Sequence, residues 1–381
     1  MLKSKQTIFF SFAVLMFALG ASDAMRGVFS FIFTEHFSLN ANGLSNIVTI
    51  SYIGNLLFLA IGGNIIDRMN TKYAFQMFII IWILSQLLFL LTDSYSYLLC
   101  GMFVAMGTST LLNTTINIST PTIFEKSPAF LVNLLFFIQG IGTSLSQSVI
   151  GNIAVDFNSW HTVNLGLIII GLIPFILSFF MSFGNKTKKE KISVKNKIFS
   201  ADFIIMVIMM GCYFIAEHGV LNWLVMYITT GLNLTSNVAN TYTSIFFGLI
   251  TIGRLVLGAF VDKIGVLKSL RYFSIIAAVM FFIGVIGGEK TLILLSLSGF
   301  MFSIIYPTLV MLISRLWDIN IATSMSGIII SIASLADIAF NALFGNIADI
   351  LGYKNAFIIM PVFMIIYSLI MFIFSKKKHW N

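Results

Sequence analysis

The sequence predicts an all-α membrane protein with twelve transmembrane helices in two parallel repeats of six. Of its 381 residues, 58% are hydrophobic and only 9% are charged, whereas about 25% are charged in a soluble domain. A soluble chain of this size could not bury so much apolar surface. Long runs such as 73–92 and 291–314 contain no Asp, Glu, Lys or Arg. Because these runs are continuous rather than alternating, they exclude a transmembrane β-barrel.

The apolar runs divide at charged and turn residues into twelve segments, each near the 20 or so residues that a helix needs to cross a bilayer. The predicted spans are about 7–33, 43–66, 73–92, 96–120, 129–153, 162–184, 202–228, 236–261, 271–288, 291–314, 322–346 and 355–375. The first could imitate a signal peptide, but apolar sequence resumes after Arg26 and many similar runs follow, so we expect it to be retained. The short connections leave no room for a catalytic domain of about 100 residues.

Basic residues predict the orientation. Nineteen Lys and Arg lie in segments on one side of the predicted spans, and only Lys290 and Lys354 lie on the other. The positive-inside rule therefore predicts cytoplasmic termini, and it explains the net charge of +8 without nucleic acid. We expect the membrane to be a bacterial plasma membrane. Residues 185–200 carry six lysines and are predicted to be a flexible cytoplasmic linker between bundles 1–184 and 201–381. Binding of anionic lipid is a second possible role for this linker.

Two short motifs recur at a nearly constant offset. Residues 63–68 (GNIIDR) reappear as 258–263 (GAFVDK), 195 positions later, and GNIA at 151–154 reappears at 345–348, 194 positions later. Each copy ends the corresponding span of its half. This pattern indicates a duplication, and a parallel repeat of six helices predicts a central cavity between the halves.

The repeated Gly-x-x-x-Asp-Arg/Lys pattern resembles the signature of the major facilitator superfamily, and the resemblance covers essentially the whole chain. The first copy has Asn70 where a glycine is usual, whereas the second keeps Gly265. We interpret the two loops as a cytoplasmic gate, or as topology anchors and tight turns, in which the glycines allow close helix approach. The predicted gating residues are Gly63, Asp67, Arg68, Arg254, Gly258, Asp262 and Lys263.

Ionisable residues inside predicted spans point to function, because a charge at mid-membrane costs about 2.5–3.5 kcal/mol on insertion scales. Asp23 and Arg26 lie three residues apart and can pair. Glu217 lies 194 residues after Asp23, and no Lys or Arg of its own helix is placed to neutralise it. A buried unpaired carboxyl group titrates near neutrality, which proton coupling requires. Asp337 lies in the eleventh span and faces either the cavity or a neighbouring helix.

Uncharged polar and aromatic residues complete the predicted site. Amide side chains suit hydroxyl-rich ligands, and aromatic faces suit sugar C–H faces, although aromatic residues in spans more often pack or lie at the interface. His218 could help to shuttle protons or could be a packed polar residue. The predicted substrate-binding or proton-binding residues are Asp23, Arg26, Asn113, Asn117, Gln139, Glu217, Asn222, Trp223, Tyr227, Tyr306, Asp337 and Asn341.

Three local patterns are similar to the fucose-permease-like branch of the superfamily. They are Gly20-x-x-Asp23-x-x-Arg26-Gly27 in the first span, residues 217–227 in the seventh, and residues 303–308, where Tyr-Pro-Thr interrupts the tenth. The resemblance implies a sugar–proton symporter, although the fourth span lacks the carboxylate of the fucose type. The drug–proton antiporter branch is the main alternative, but residues 98–122 contain no Arg and residues 140–151 contain no Pro.

The sequence thus predicts a secondary transporter that works by alternating access. Its expected ligands are a small solute and protons, and its expected surroundings are membrane lipids. A drug or metabolite antiporter and a non-transporting sensor are the alternatives. No nucleophile motif, metal-ligand spacing or phosphate-binding loop is present, so we expect neither an enzyme nor a cofactor nor a metal. Cys100 and Cys212 lie in apolar runs and are too few for a disulfide framework. We expect a monomer.

Overall fold

A computed structural model describes residues 5–91, 93–124, 128–181, 183, 200–317 and 319–377, without the side chains of 63–68, 128, 129, 259, 262, 319, 320 and 323. All regular structure in these ranges is helical, which confirms the predicted fold class. The chain forms two compact units, Met1–Lys188 and Lys189–Asn381. The division falls in the predicted linker, of which residues 185–199 lie outside the described ranges.

Within its described residues the first unit forms eight helices, and a π-helical turn, Ser146–Ile150, joins the sixth to the seventh. The helices are α1 (Lys5–Val28), α2 (Ser30–His36), α3 (Ala41–Arg68), α4 (Thr71–Leu91), α5 (Tyr95–Ile123), α6 (Pro128–Leu145), α7 (Gly151–Ile153) and α8 (Phe157–Ser178). The first predicted span is thus divided near Phe29 into α1 and α2.

The described part of the second unit forms seven helices, with a π-helical turn, Tyr227–Gly231, after the first and a 3-10 turn, Gly288–Thr291, before the fourth. The helices are α9 (Ala201–Met226), α10 (Ser236–Ile264), α11 (Val266–Ile286), α12 (Leu292–Phe302), α13 (Ile305–Leu316), α14 (Ile319–Ala356) and α15 (Ile359–Lys377). Within α14 the backbone leaves the helical region at Gly352, whose φ is 73°.

Twelve helical segments of the described chain are long and apolar enough to cross a membrane. Six belong to each unit, as predicted from the apolar runs. Large apolar side chains remain exposed along these spans, for example Ile169, Val279 and Leu369. Exposed apolar surface of this kind matches a lipid environment.

Local sequence chemistry explains several helix boundaries. Asp156 accepts hydrogen bonds from the Ser159 hydroxyl at 2.7 Å and from its backbone N–H at 2.9 Å, which begins α8 with a capping box. These bonds hold the pKa of the Asp156 carboxyl below its usual value. Pro307 lacks an N–H and its ring crowds the carbonyl of Ser303, so the tenth span breaks between α12 and α13 as its sequence predicts.

Glycines bring paired helices into backbone contact. A Cβ on Gly20 of α1 would lie 2.1 Å from the Gln139 carbonyl oxygen of α6, and one on Gly142 of α6 would lie 2.2 Å from the Phe17 carbonyl oxygen. The Thr143 hydroxyl then donates to the Gly20 carbonyl at 3.1 Å. Small residues permit this close approach in membrane helices. The contact fixes the position of α1, which carries Asp23 and Arg26.

Candidate substrate and proton site

In the first unit, α1 and α5 meet at Asp23. The Ser109 hydroxyl of α5 donates to Asp23 Oδ1 at 3.0 Å. Arg26 lies close enough to interact electrostatically with Asp23, and its Nη2 donates to the Tyr52 hydroxyl of α3 at 3.1 Å. The predicted proximity of Asp23 and Arg26 is therefore present, together with two partners, Ser109 and Tyr52, that the sequence analysis missed.

Two predicted asparagines continue the same face of α5. Asn113 and Asn117 follow Ser109 at intervals of four residues, which places all three along one side of the helix. The Oδ1 atoms of both asparagines are buried and have no hydrogen-bond partner among the described residues. Because a buried acceptor without a donor is costly, these atoms are suited to receive hydroxyl or amine donors from a solute. Gln139 lies half-buried on α6, beside Gly20 of α1.

Gln147 is a further candidate that the sequence analysis missed. It lies on the π-helical turn after α6, is 1% exposed, and neither polar atom of its amide has a hydrogen-bond partner among the described residues. Single π-helical turns inside helices frequently mark functional sites. Gln147 stands 194 residues before Asn341, so the repeat offset could have revealed it.

In the second unit, Glu217 lies half-buried in the middle of α9. The ring of Tyr213, one turn earlier, stacks on Tyr306 of α13 with centroids 6.3 Å apart. Both tyrosines interact electrostatically with Glu217 and with Arg254 of α10. The sequence analysis found no basic partner for Glu217 on its own helix and assigned Arg254 to the gate. The structure instead brings Arg254 to the neighbourhood of Glu217 from another helix.

Asp337 and Asn341 of α14 contact side chains of α9. Asp337 therefore faces a neighbouring helix, which is one of the two arrangements that the sequence allowed. Asp337 Oδ2 lies 2.5 Å from His218 Nδ1, and Asp337 Oδ1 accepts from Asn341 Nδ2 at 3.0 Å. Asn341 Oδ1 in turn accepts from Trp223 Nε1 at 2.9 Å and from Asn222 Nδ2 at 3.4 Å. The pairing of His218 with Asp337 was not predicted.

Trp223 and Tyr227 have packing contacts. Trp223 is fully buried and packs against Phe344 of α14, with ring centroids 4.6 Å apart. Tyr227 donates its hydroxyl to the Val285 carbonyl of α11 at 2.7 Å and stacks on Phe357. These contacts give both side chains packing roles, and their predicted contact with a solute stays a prediction.

The family assignment follows from comparison with known proteins. The sequence profile of the Major Facilitator Superfamily matches residues 8–329. The chain belongs to the Major Facilitator Superfamily. The resemblance of the two loop motifs to this superfamily is thereby confirmed. This member of the superfamily is an integral membrane transporter and, as predicted, not an enzyme.

Solved structures of other transporters share its fold. A mutant of the nucleoside transporter NupG matches with a TM-score of 0.81 and 9% identity, over 96% of this chain and 99% of that one. A D-xylose–proton symporter matches with a TM-score of 0.77 and 13% identity, and the transporter FucP in its outward conformation with 0.68 and 18%. Both matches cover 98% of this chain and 99% of the other. No curated protein sequence matches this chain significantly.

In this Major Facilitator Superfamily member, the side chains of several predicted gating residues lie outside the described part: Gly63, Asp67, Arg68 and Asp262. Lys263 is exposed at the end of α10. No described atom lies within 4 Å of the position a Cβ on Gly258 would take, and the close helix approach expected at this glycine stays a prediction.

The second loop motif has Gly265 where the first has Asn70, and the backbone conformation explains this difference. Gly265 has a φ of 89°, a conformation that L side chains rarely adopt. Asn70, at the equivalent place, has no positive φ, and its Oδ1 accepts from the backbone N–H of Lys72 at 2.9 Å. The first loop therefore needs a side-chain cap rather than a glycine.

Proposed function

We propose that this transporter couples the uptake of a sugar-like solute to the entry of protons. One observation carries this proposal: the first spanning helix of each unit has a carboxyl group at the repeat-equivalent position, beside a hydroxyl group and an arginine. In the first unit these groups are Asp23, Ser109 and Arg26. In the second they are Glu217, Tyr213 and Arg254. Placing a carboxyl group inside a membrane costs free energy, and such groups are usually functional.

The amide groups of the first unit support a neutral, hydroxyl-rich solute. Asn113 and Asn117 offer buried acceptors that have no partner in the described part of the chain, and Gln147 offers a buried acceptor and a buried donor group. A solute with several hydroxyl groups can donate to the first two and satisfy both ends of the third. The nearby charges of Asp23 and Arg26 have opposite signs, so they favour no net charge on the solute.

The proposed cycle begins with a proton from outside binding to Glu217. The solute then binds to the polar groups while the carboxyl group is neutral. Inward rocking follows once the proton and the solute are both bound, as alternating access requires. On the inner side, release of the proton and the solute resets the carrier. Asp23 is the second candidate for the same role.

The experiment that tests this function measures internal pH in proteoliposomes while sugars and cationic drugs are added outside. The proposal predicts that a sugar acidifies the interior. Alkalinisation on adding a drug would contradict uptake and support antiport. No pH change with either set, together with no ligand that stabilises the protein thermally, would contradict proton-coupled sugar transport and favour a non-transporting role.

Replacing Asn113 or Asn117 by alanine is expected to weaken solute binding. Each change removes an acceptor for a solute hydroxyl, and a hydrogen bond is worth about 0.5–1.5 kcal/mol net, so KM should rise about three- to tenfold per residue. Initial uptake rates at a series of solute concentrations measure this. Asn158→Ala, in the exposed first turn of α8, is the control and should leave KM unchanged. Unchanged KM in both α5 variants would exclude these asparagines from the binding site.

A further inference from the structure

A histidine–carboxylate pair lies in the second unit and has no part in the proposed cycle described above. His218 follows Glu217 on α9, and its Nδ1 contacts Oδ2 of Asp337 on α14. The Asp337 side chain is 3% exposed, whereas the His218 side chain is 29% exposed. The imidazole is therefore the part of the pair that water can reach.

Hydrogen-bond directions in the network fix the role of Asp337 Oδ1. The indole Nε1 of Trp223 can only donate, so the Asn341 atom that receives its hydrogen bond is the amide oxygen. The Asn341 nitrogen then points at Asp337 and donates to Oδ1 at 3.0 Å and to the backbone carbonyl at 2.9 Å. Asp337 Oδ1 is thus an acceptor, and only Oδ2, which faces His218, has a place for a proton of the carboxyl group.

The contact between His218 Nδ1 and Asp337 Oδ2 holds one proton. With Asp337 ionised, both of its oxygens accept and that proton lies on Nδ1. The charge of the ring then changes only by gain or loss of a proton at Nε2. With that proton the two side chains form an ion pair. Without it, the buried charge of Asp337 loses its imidazolium partner, which is a costly change inside a membrane.

The other groups around His218 come from several helices. On α9, Phe214 stacks on the imidazole with centroids 5.2 Å apart, and Phe214 also packs against Tyr306 of α13. The titratable and charged groups nearby are Glu217 and Tyr213 on α9, Asp337 on α14, Tyr306 on α13 and Arg254 on α10. From α15, Met360 meets the backbone at Gly219, and Tyr367 interacts with Cys212.

We propose that Nε2 of His218 is a proton-binding site of the transport cycle, separate from Glu217, and that the proton bound there turns the α9–α14 contact into an ion pair. Histidine is the side chain whose ordinary titration falls in the physiological range. Asn341, held by Trp223, positions Asp337 for this task. The role in the cycle rests on the proposed proton coupling, whereas the proton site itself does not.

The test is the titration of His218 in the full-length protein in lipid nanodiscs, followed by NMR of ¹⁵N-labelled histidine. The chain has four histidines, so replacing His36, His161 and His379 by glutamine leaves one signal. If that variant does not fold, the difference between wild type and His218→Gln supplies the same signal. We expect a titration between about pH 5 and pH 9, from a neutral ring protonated on Nδ1.

Asp337→Asn should move this midpoint by about one pH unit towards acid, because the charge that favours the imidazolium is gone. Glu289→Gln, which changes an exposed carboxyl group of the same unit, is the control and should leave the midpoint unchanged. A ring that does not titrate, a neutral ring protonated on Nε2, or an equal midpoint in Asp337→Asn would overturn the proton site.

Transport measurements distinguish the proposed role of His218 from the proposed proton coupling by Glu217. His218→Gln should flatten the dependence of solute uptake on pH across the His218 midpoint, whereas Glu217→Gln should remove concentrative uptake and leave the His218 titration in place. An unchanged pH profile in His218→Gln would remove His218 from the cycle. If uptake is not driven by protons but His218 titrates as described, the proposed coupling fails and the proton site stands.

Discussion

Glu217→Gln is expected to abolish accumulation of the solute against its gradient while sparing exchange of solute across the membrane. Glutamine keeps the size and hydrogen-bonding capacity of the side chain but cannot bind and release a proton. The carrier can therefore still bind solute and change conformation when loaded, but no proton gradient drives it. Uptake and counterflow of the same solute in proteoliposomes measure the two activities separately.

Two controls sharpen this prediction. Glu217→Asp keeps a titratable group and should retain part of the accumulation, whereas Glu289→Gln changes an exposed carboxyl group and should retain all of it. Normal accumulation by Glu217→Gln would contradict the role of Glu217. If Asp23→Asn then showed the loss, coupling would be assigned to Asp23, where Ser109 and Arg26 surround the carboxyl group.

Gly142→Ala is expected to lower the yield and the thermal stability of the folded protein. The added methyl group would lie 2.2 Å from the Phe17 carbonyl oxygen, so the backbones of α1 and α6 must separate. Overpacking of this kind costs about 1–3 kcal/mol, and here no flexible side chain can absorb the clash. Gly20→Ala should act in the same way, because its methyl group would meet the Gln139 carbonyl oxygen at 2.1 Å.

Gly166→Ala is the matched control for this pair. It also lies within a helix, α8, but no described atom lies within 4 Å of the added Cβ. Alanine favours a helix over glycine by about 0.5–1 kcal/mol, so stability should be equal or higher. Thermal unfolding of the purified variants measures all three. Equal stability of Gly142→Ala and Gly166→Ala would contradict the close contact of α1 and α6.

The fold could be predicted from the sequence because it depends on features that are local along the chain. Each apolar run must form a helix in lipid, where the backbone finds no other partners. Pro307 breaks the tenth span for a reason contained in its own covalent structure. The boundary near Phe29 was missed, since the division of one apolar run into α1 and α2 has no charge or proline to mark it.

The site was predictable only where its residues lie on one helix. Asp23 with Arg26, and Asp337 with Asn341, are separated by three and four residues, and the structure brings each pair together. The contact of His218 with Asp337 spans 119 residues. It depends on the packing of α9 against α14, which no local pattern encodes.

The different contacts of two tyrosines also could not be predicted from the sequence. Tyr227 and Tyr306 both lie in polar stretches of apolar spans, and both were predicted to meet the solute. The hydroxyl of Tyr227 finds the Val285 carbonyl on α11, which could not be known before that helix was placed. Tyr306 instead stacks on Tyr213 beside Glu217. The environment of the hydroxyl, rather than the residue type, separates the two.

The central claim is that a proton gradient drives the solute through this carrier, and its most direct measurement is uptake into proteoliposomes with an imposed pH difference of one unit, acid outside. With one proton per solute molecule, the internal concentration should reach about ten times the external one, because each factor of ten corresponds to 1.4 kcal/mol. The concentration gradient of the solute should collapse when a protonophore is added. Uptake that stops at equal concentrations, with or without the pH difference, would contradict proton coupling.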